Sequence, residues 1–220
     1  KYVLPGAIDC HVHVREKPGD DWGVSTKAAA LAGLTTIIPF GGYNAAEKET
    51  LPQAINRWKE EAQKEALVDY SFHYILSNTP YIIDSLPEAI NMGVTSYKMF
   101  MTYDHRVSDS FIAKVMEIVS DNGGIVQLHA ENGDVIEHLM NKAIAEGRTK
   151  PSDFPDTCPP WAEAEAINRG ILLGAMTDCP LYIVHLSTKL GLNRIKQAQE
   201  QGQRVWTETC PQYLLLDETA

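Results

Sequence analysis

The sequence contains no apolar run that approaches the roughly 20 residues a transmembrane helix needs. Positive charge is also scarce, since 19 Lys and Arg stand against 29 Asp and Glu, which gives a net charge of -10. Nucleic acids and anionic membranes are polyanions, so we expect neither of them as the main partner. The opening KYVLPGAIDC lacks the layout of a signal peptide. We therefore expect a cytoplasmic protein.

Cysteine is sparse, and its four positions show no paired spacing: Cys10, Cys158, Cys179 and Cys210. This distribution predicts reduced thiols, with a single disulfide as the weaker alternative. With 220 residues the chain is long enough for one large α/β domain. We find no linker or repeat and predict a single domain over residues 1–220.

Apolar runs rich in β-formers alternate with longer helical segments along the chain. The predicted strands are 7–14, 35–40, 70–75, 96–100, 124–129, 181–185 and 204–209. The predicted helices are 24–32, 48–65, 84–92, 109–121, 133–145, 160–177 and 190–201. This alternation is typical of βαβ units with a parallel sheet.

The position of the polar residues favours a barrel over a doubly wound sheet. Five of them lie at or near the C-terminal ends of different strands: His13, Lys98, His129, His185 and Glu208. Barrel enzymes collect their chemistry on that rim. A doubly wound sheet would carry a glycine-rich phosphate loop after its first strand, and none is present. We predict an α/β fold, a (β/α)8 TIM-type barrel that is incomplete here, with about seven βα units and no eighth strand.

Two histidines, His11 and His13, stand one residue apart in the first predicted strand. Side chains two apart on a strand share a face, so the two imidazoles point the same way. Such a pair can hold one divalent metal ion such as zinc. Asp9, two residues before His11, faces the same side of the strand and could orient a histidine ring without binding the metal itself. Taken alone, the pair is equally compatible with two ordinary polar residues.

Lys98 lies inside the apolar segment TSYKMFMTY. A buried ammonium group is costly unless it is paired or neutralised. One interpretation is a salt bridge to a neighbouring carboxylate. The other is an uncharged amine that captures carbon dioxide, which gives a carbamate whose two oxygens can bridge two metals.

Two more histidines, His129 and His185, each follow an apolar run and precede a polar loop. A lone histidine there is often just a polar residue at a strand end. Together with the first pair and the lysine, however, these residues predict one metal site at the ends of several strands. Three histidines fit no such pattern and are interpreted as structural or surface residues: His73, His105 and His138.

Five segments in this order, DCHVHV, YKMFMTY, LHAENGD, YIVHLST and ETCPQYL, resemble the motifs of the cyclic amidohydrolases, in particular of dihydropyrimidinase and hydantoinase. The resemblance implies a binuclear metal site in a (β/α)8 barrel. By that resemblance His11 and His13 bind the more buried metal, and carboxylated Lys98 bridges both. His129 and His185 bind the second metal.

The implied reaction is hydrolytic opening of a cyclic amide or imide by a metal-bound hydroxide, with two zinc or similar ions and no organic cofactor. Tyr103 matches the tyrosine that hydrogen-bonds the substrate carbonyl and its developing oxyanion. A packed loop aromatic is the other interpretation of this residue. The family's proton-transferring aspartate lies on an eighth strand, beyond Ala220. We therefore expect residues 1–220 alone to be inactive.

The sequence indicates the reaction more clearly than it indicates which cyclic substrate is opened. The motifs around Lys98 and Tyr103 favour a dihydropyrimidine or a hydantoin. Arg15, two residues after His13, instead resembles dihydroorotase, in which the matching arginine binds a substrate carboxylate. An exposed Arg15 paired with Glu16 or Asp20 is the structural alternative, and allantoinase also stays open.

A non-catalytic role is a different class of hypothesis. Some relatives of dihydropyrimidinase have lost the metal ligands and act as interaction proteins. Here every ligand that the chain is long enough to contain is present, which favours an enzyme. The family resemblance also implies a homo-oligomer, a tetramer or a dimer, in the intact protein.

The segment TCPPWAEAEAI precedes the sixth predicted strand. Pro159 and Pro160 suit a helix start, and Glu163 and Glu165 lie in its favourable first turns. The family usually has an arginine where Cys158 stands. We interpret this segment as structural.

Overall fold

The computed structural model describes residues 2–14 and 20–217. Its strands are β1 Ala7–Val12, β2 Leu34–Gly41, β3 Asp69–Tyr70, β4 His73–Ile75, β5 Ser96–Phe100, β6 Ile125–His129, β7 Leu181–Ile183 and β8 Val205–Thr207. Its α-helices are α1 Trp22–Leu31, α2 Leu51–Glu65, α3 Pro80–Ile83, α4 Leu86–Asn91, α5 Asp109–Asp121, α6 Gly133–Ala145, α7 Pro160–Thr177, α8 Lys189–Glu200 and α9 Pro211–Leu215. Short 3-10 helices span Ala45–Glu47, Pro151–Asp153 and Pro155–Thr157.

Every helix within the described ranges is too short or too polar to cross a lipid bilayer. The four cysteines, all of them within the described ranges, carry thiols and form no disulfide, as predicted. Arg15, the candidate carboxylate-binding residue, lies outside the described residues.

The chain divides into two compact units, Lys1–Lys98 and Met99–Ala220.

The sheet of the first unit is parallel, in the order β1-β2-β4-β5, with β3 also paired to β2. The third predicted strand, 70–75, is therefore two short strands rather than one. Both pair with β2, through Ile37 and Tyr70 and then through Phe40 and His73. Between these pairs β2 contains Pro39, which has no N–H to donate to the ladder, and this explains the interruption.

Aromatic side chains form much of the core of the first unit. Trp22, which is 1% exposed, has its ring centroid 6.0 Å from those of Trp58 and Phe72 in edge-on geometry. Edge-to-face pairs stabilise a core beyond the burial of their apolar area. These contacts join α1 and α2 to the segment between β3 and β4.

The second unit contains the parallel strands β6, β7 and β8 in chain order. Its helices α5, α6 and α7 begin and end where the sequence predicts. The side chain of Ser108 accepts a hydrogen bond from Phe111 N at the start of α5, and Asn132 accepts one from Val135 N at the start of α6. Such side-chain caps satisfy backbone donors that a helix leaves free, and they define where it begins.

Several strands end earlier than predicted, so some candidate residues follow a strand instead of lying in it. Lys98 and His129 lie within β5 and β6, but His13 is one residue past β1 and His185 is two residues past β7. His185 has a left-handed backbone with φ 38°, which a strand cannot accommodate. The corrected positions place His13, His129 and His185 at or just past the C-terminal ends of their strands, while Lys98 lies in the middle of β5.

Candidate active site

The first candidate pair, His11 and His13, packs around Phe40 of β2. The ring centroids of the two histidines are 5.5 Å apart. His11 meets the Phe40 ring edge-on at 4.7 Å, and His13 stacks on it at 5.2 Å. Asp9 Oδ1 accepts a hydrogen bond from the backbone N of His11 at 3.1 Å. Asp9 thus fixes the backbone beside the first histidine.

Lys98 is buried in β5, with only 2% of its surface exposed. Its Nζ lies 5.3 Å from the centroid of the Phe40 ring. An aromatic face attracts a cation, but burial penalises the charged form of an amine. Phe40 is the shared neighbour of His11, His13 and Lys98, so these three candidate residues surround one aromatic ring.

His73 acts as a structural residue in the same unit, in line with its interpretation from the sequence. It is buried, its Nδ1 is hydrogen-bonded to Ser96 Oγ, and its Nε2 lies 3.0 Å from the carbonyl oxygen of Cys10. Cys10 directly precedes His11. The imidazole of His73 therefore joins three strands close to the first histidine pair.

The second pair, His129 and His185, has ring centroids 4.4 Å apart in edge-on geometry. His129 is 7% exposed and stacks on Phe100 at 5.5 Å. Its Nε2 lies 2.7 Å from Glu131 Oε2. The ring of Tyr103 meets that of His129 at 5.0 Å, so the candidate oxyanion donor is adjacent to a candidate metal ligand.

A cavity of about 360 Å³ opens beside this pair in the second unit. Its polar lining includes Tyr103, His129, Glu131, Cys158, His185 and Tyr213. Burial, with the nearby Glu131 and Cys158, raises the pKa of Tyr103 above its usual value. The phenol therefore keeps its proton, and its capacity to donate a hydrogen bond, at neutral pH.

Glu163 is a functional candidate that the sequence interpretation missed, because it was taken for a charge at a helix start. It is buried, and it accepts hydrogen bonds from Ser187 and Thr188, in the segment that contains His185. The only sequence signal for this role of Glu163 was the Ser-Thr pair just before α8. Its two residues lie 24 and 25 positions after Glu163.

The donor atoms of the two pairs suit a zinc-type ion, since imidazole nitrogen is among its preferred ligands. Among residues 2–14 and 20–217, no group of three or more His, Cys, Asp or Glu is arranged to hold a metal ion. Within those ranges, neither histidine pair has a third ligand of these residue types arranged beside it. A carbamate on Lys98 would be a ligand of another type, and the buried position of this amine is compatible with it.

Comparisons with known proteins identify the relatives of this chain. No protein-family model matches it. It is 39% identical over 227 residues to D-hydantoinase of Geobacillus stearothermophilus, covering 99% of this chain and 48% of the relative. The chain is a homologue of the hydantoinases and dihydropyrimidinases. It is also 35% identical over 224 residues to D-hydantoinase of Ralstonia pickettii, covering 98% of this chain and 49% of that relative.

Solved hydantoinase-type structures are similar to this homologue along nearly its whole length. The structure of dihydropyrimidinase from Brevibacillus agri has a TM-score of 0.91 at 41% identity, covering 99% of this chain and 49% of that one. D-hydantoinase from a Bacillus sp. has a TM-score of 0.90 at 40% identity, with 98% and 49% covered. These findings confirm the family resemblance and the α/β barrel fold class predicted from the sequence. The chain spans about half the length of these relatives.

Proposed function

We propose that the full-length protein hydrolyses a cyclic amide or imide, a dihydropyrimidine or a hydantoin. The homology to hydantoinases and dihydropyrimidinases supports this reaction class. The observation that carries the proposal is the cavity at which Tyr103, His129 and His185 meet. It brings a protonated phenol beside two imidazoles, which suits stabilisation of a carbonyl oxygen next to a metal.

We further propose two divalent ions, zinc or a similar metal, as the cofactors. Their ligands would be His11, His13, His129 and His185, with Lys98 carboxylated by carbon dioxide as the bridge. Bound in this way, the ions would supply an acidified water and polarise the ring carbonyl. The burial of Lys98 beside Phe40, the ring on which His11 and His13 pack, supports this assignment.

The residues of this chain have distinct tasks in the proposed reaction. The Tyr103 hydroxyl donates a hydrogen bond to the substrate carbonyl oxygen. This hydrogen bond becomes stronger as negative charge develops on that oxygen. Phe40 and Phe100 pack against the histidine rings and restrict their orientation. We assign proton transfer to the ring nitrogen to an aspartate outside residues 1–220, so residues 1–220 alone should be inactive.

The test is to purify the full-length protein after growth with zinc and bicarbonate. We expect about two metal ions per chain and hydrolysis of dihydrouracil or hydantoin. Removal of the metal with a chelator should stop ring opening, and added zinc should restore it. A metal-loaded protein that opens neither ring, nor dihydroorotate, nor allantoin would contradict the proposed function.

Arg15→Ala tests the choice between substrates. We expect turnover of dihydrouracil by the full-length protein to change less than about twofold, because this ring lacks the carboxylate that a guanidinium binds through charge-assisted hydrogen bonds. Steady-state kinetics on dihydrouracil and dihydroorotate, with Lys17→Ala as the control, would measure this. A loss confined to dihydroorotate would assign the protein to the dihydroorotases instead.

The remaining proposals concern the whole protein. We propose a cytoplasmic homo-oligomer, a tetramer or a dimer, that acts on a small molecule and binds neither nucleic acid nor membrane. The single-domain organisation over residues 1–220 also stays a prediction.

A further inference from the structure

Glu163 is a buried carboxylate in the first turn of α7, with 7% of its surface exposed. Its Oε1 accepts hydrogen bonds from Ser187 N at 2.9 Å and Ser187 Oγ at 3.0 Å. Its Oε2 accepts from Thr188 N at 2.9 Å and from Thr188 Oγ1. Four donors, two to each oxygen, satisfy the carboxylate, and hydrogen bonds to an ionised acceptor are among the strongest in proteins.

The four donors belong to the segment 184–188, which joins β7 to α8 and contains His185. Contacts with the residues after β8 hold the same segment from another side. Leu186 N donates to the carbonyl oxygen of Glu208 at 2.8 Å, and Thr209 Oγ1 donates to that of Leu186 at 2.9 Å. The segment is therefore fixed by side-chain and backbone hydrogen bonds at Leu186, Ser187 and Thr188.

These hydrogen bonds hold a segment in which the backbone of His185 has an unfavourable conformation. His185 has φ 38°, in the left-handed region that residues with a Cβ rarely adopt. Such a conformation persists only where the surrounding structure enforces it. The bonds from Ser187 and Thr188 to Glu163 begin two residues after His185 and supply such a constraint.

The surroundings of Glu163 distinguish it from an ordinary charge at a helix start. Glu165, two residues later on α7, is exposed and bonds Asn132 Nδ2 at 2.7 Å. The start of α8 packs so closely on Glu163 that a Cβ at Gly191 would lie 3.1 Å from Glu163 Oε2. Glutamine at position 163 would not reproduce these bonds, because its NH₂ group would face the backbone N–H of Ser187 or of Thr188.

We propose that Glu163 is a positioning residue for the metal ligand His185. It holds the segment 184–188 so that the imidazole of His185 stays beside that of His129, in the geometry that a shared metal ion needs. The inference rests on the proposed function, because it takes His185 to be a ligand. Partners that orient a ligand typically affect metal affinity 10- to 100-fold.

The experiment compares four forms of the full-length zinc protein: wild type, Glu163→Gln, Ser187→Ala and the control Glu165→Gln. Zinc per chain and the rate of zinc release to a colorimetric chelator are measured, with thermal unfolding followed in parallel. We expect one of the two zinc ions of Glu163→Gln to leave about 10-fold faster, while the other keeps its wild-type rate. Ser187→Ala removes one donor of four and should accelerate the same phase about threefold. Glu165→Gln should match the wild type.

Each outcome decides the inference. Selective acceleration of one zinc ion supports it, since general destabilisation would release both ions faster. If Glu163→Gln does not fold, the milder Ser187→Ala decides by the same release phase. Wild-type release from both variants in a protein that binds two zinc ions would overturn the role of Glu163 and leave the proposed function intact. A wild-type protein without metal would overturn both.

Discussion

Lys98→Met in the full-length protein should lower kcat/KM for the proposed ring opening by about 10³-fold or more, since losing the proposed metal bridge would remove several kcal/mol of transition-state stabilisation. Methionine has a similar length and suits the apolar surroundings of a side chain that is 2% exposed. The variant should therefore fold, and the loss should be chemical in origin. Metal analysis should show fewer than two ions per chain.

The matched control is Lys64→Met, which changes an exposed lysine in the last turn of α2. It should leave both metal content and kcat/KM within about twofold of the wild type, as expected for a surface substitution remote from the site. Thermal unfolding of both variants would separate inactivation from unfolding. If Lys98→Met retained two metals and full activity, the carbamate bridge would be wrong and Lys98 would be a packing residue.

Tyr103→Phe should lower kcat by about 10²- to 10³-fold and change KM little, as for the loss of one oxyanion donor. The hydroxyl is removed while the ring that packs at 5.0 Å from His129 is kept. Steady-state kinetics on the preferred ring substrate would measure the effect. Tyr81→Phe is the control, since the Tyr81 hydroxyl bonds the carbonyl oxygen of Glu49 in the first unit.

The pH dependence of the wild type provides a second test of Tyr103. Burial raises the pKa of this phenol above its usual value, so it remains a hydrogen-bond donor throughout the neutral range. We therefore expect no loss of activity between about pH 7 and about pH 9 through ionisation of Tyr103. A kcat for Tyr103→Phe equal to that of the wild type would leave Tyr103 as a packed loop aromatic.

Helix boundaries in the second unit followed directly from the sequence, because local signals define them. Ser108 and Asn132 cap α5 and α6, and Pro160 occupies the first position of α7. These signals lie within three residues of the helix starts they determine. The last helix, α9, was missed because the segment CPQYLLL was treated only as a motif that follows a strand.

Features that depend on distant partners were not predictable from one sequence. The break between β3 and β4 arises opposite Pro39, which belongs to another strand. The role of Glu163 depends on donors in a loop after the next strand, so its own neighbours give no indication of it. The candidate ligands were easier to find because each lies inside an apolar run or close to its end.

The left-handed backbone at Tyr103 and His185, with φ 67° and 38°, has a consequence for evolution under selection for stability alone. Glycine adopts this region more readily than tyrosine or histidine, so a glycine would relieve up to about 1 kcal/mol of backbone strain at each position. Catalysis would be lost at the same time. A gene copy freed from the need for enzymatic activity would therefore drift fastest at the two residues that the proposed chemistry requires.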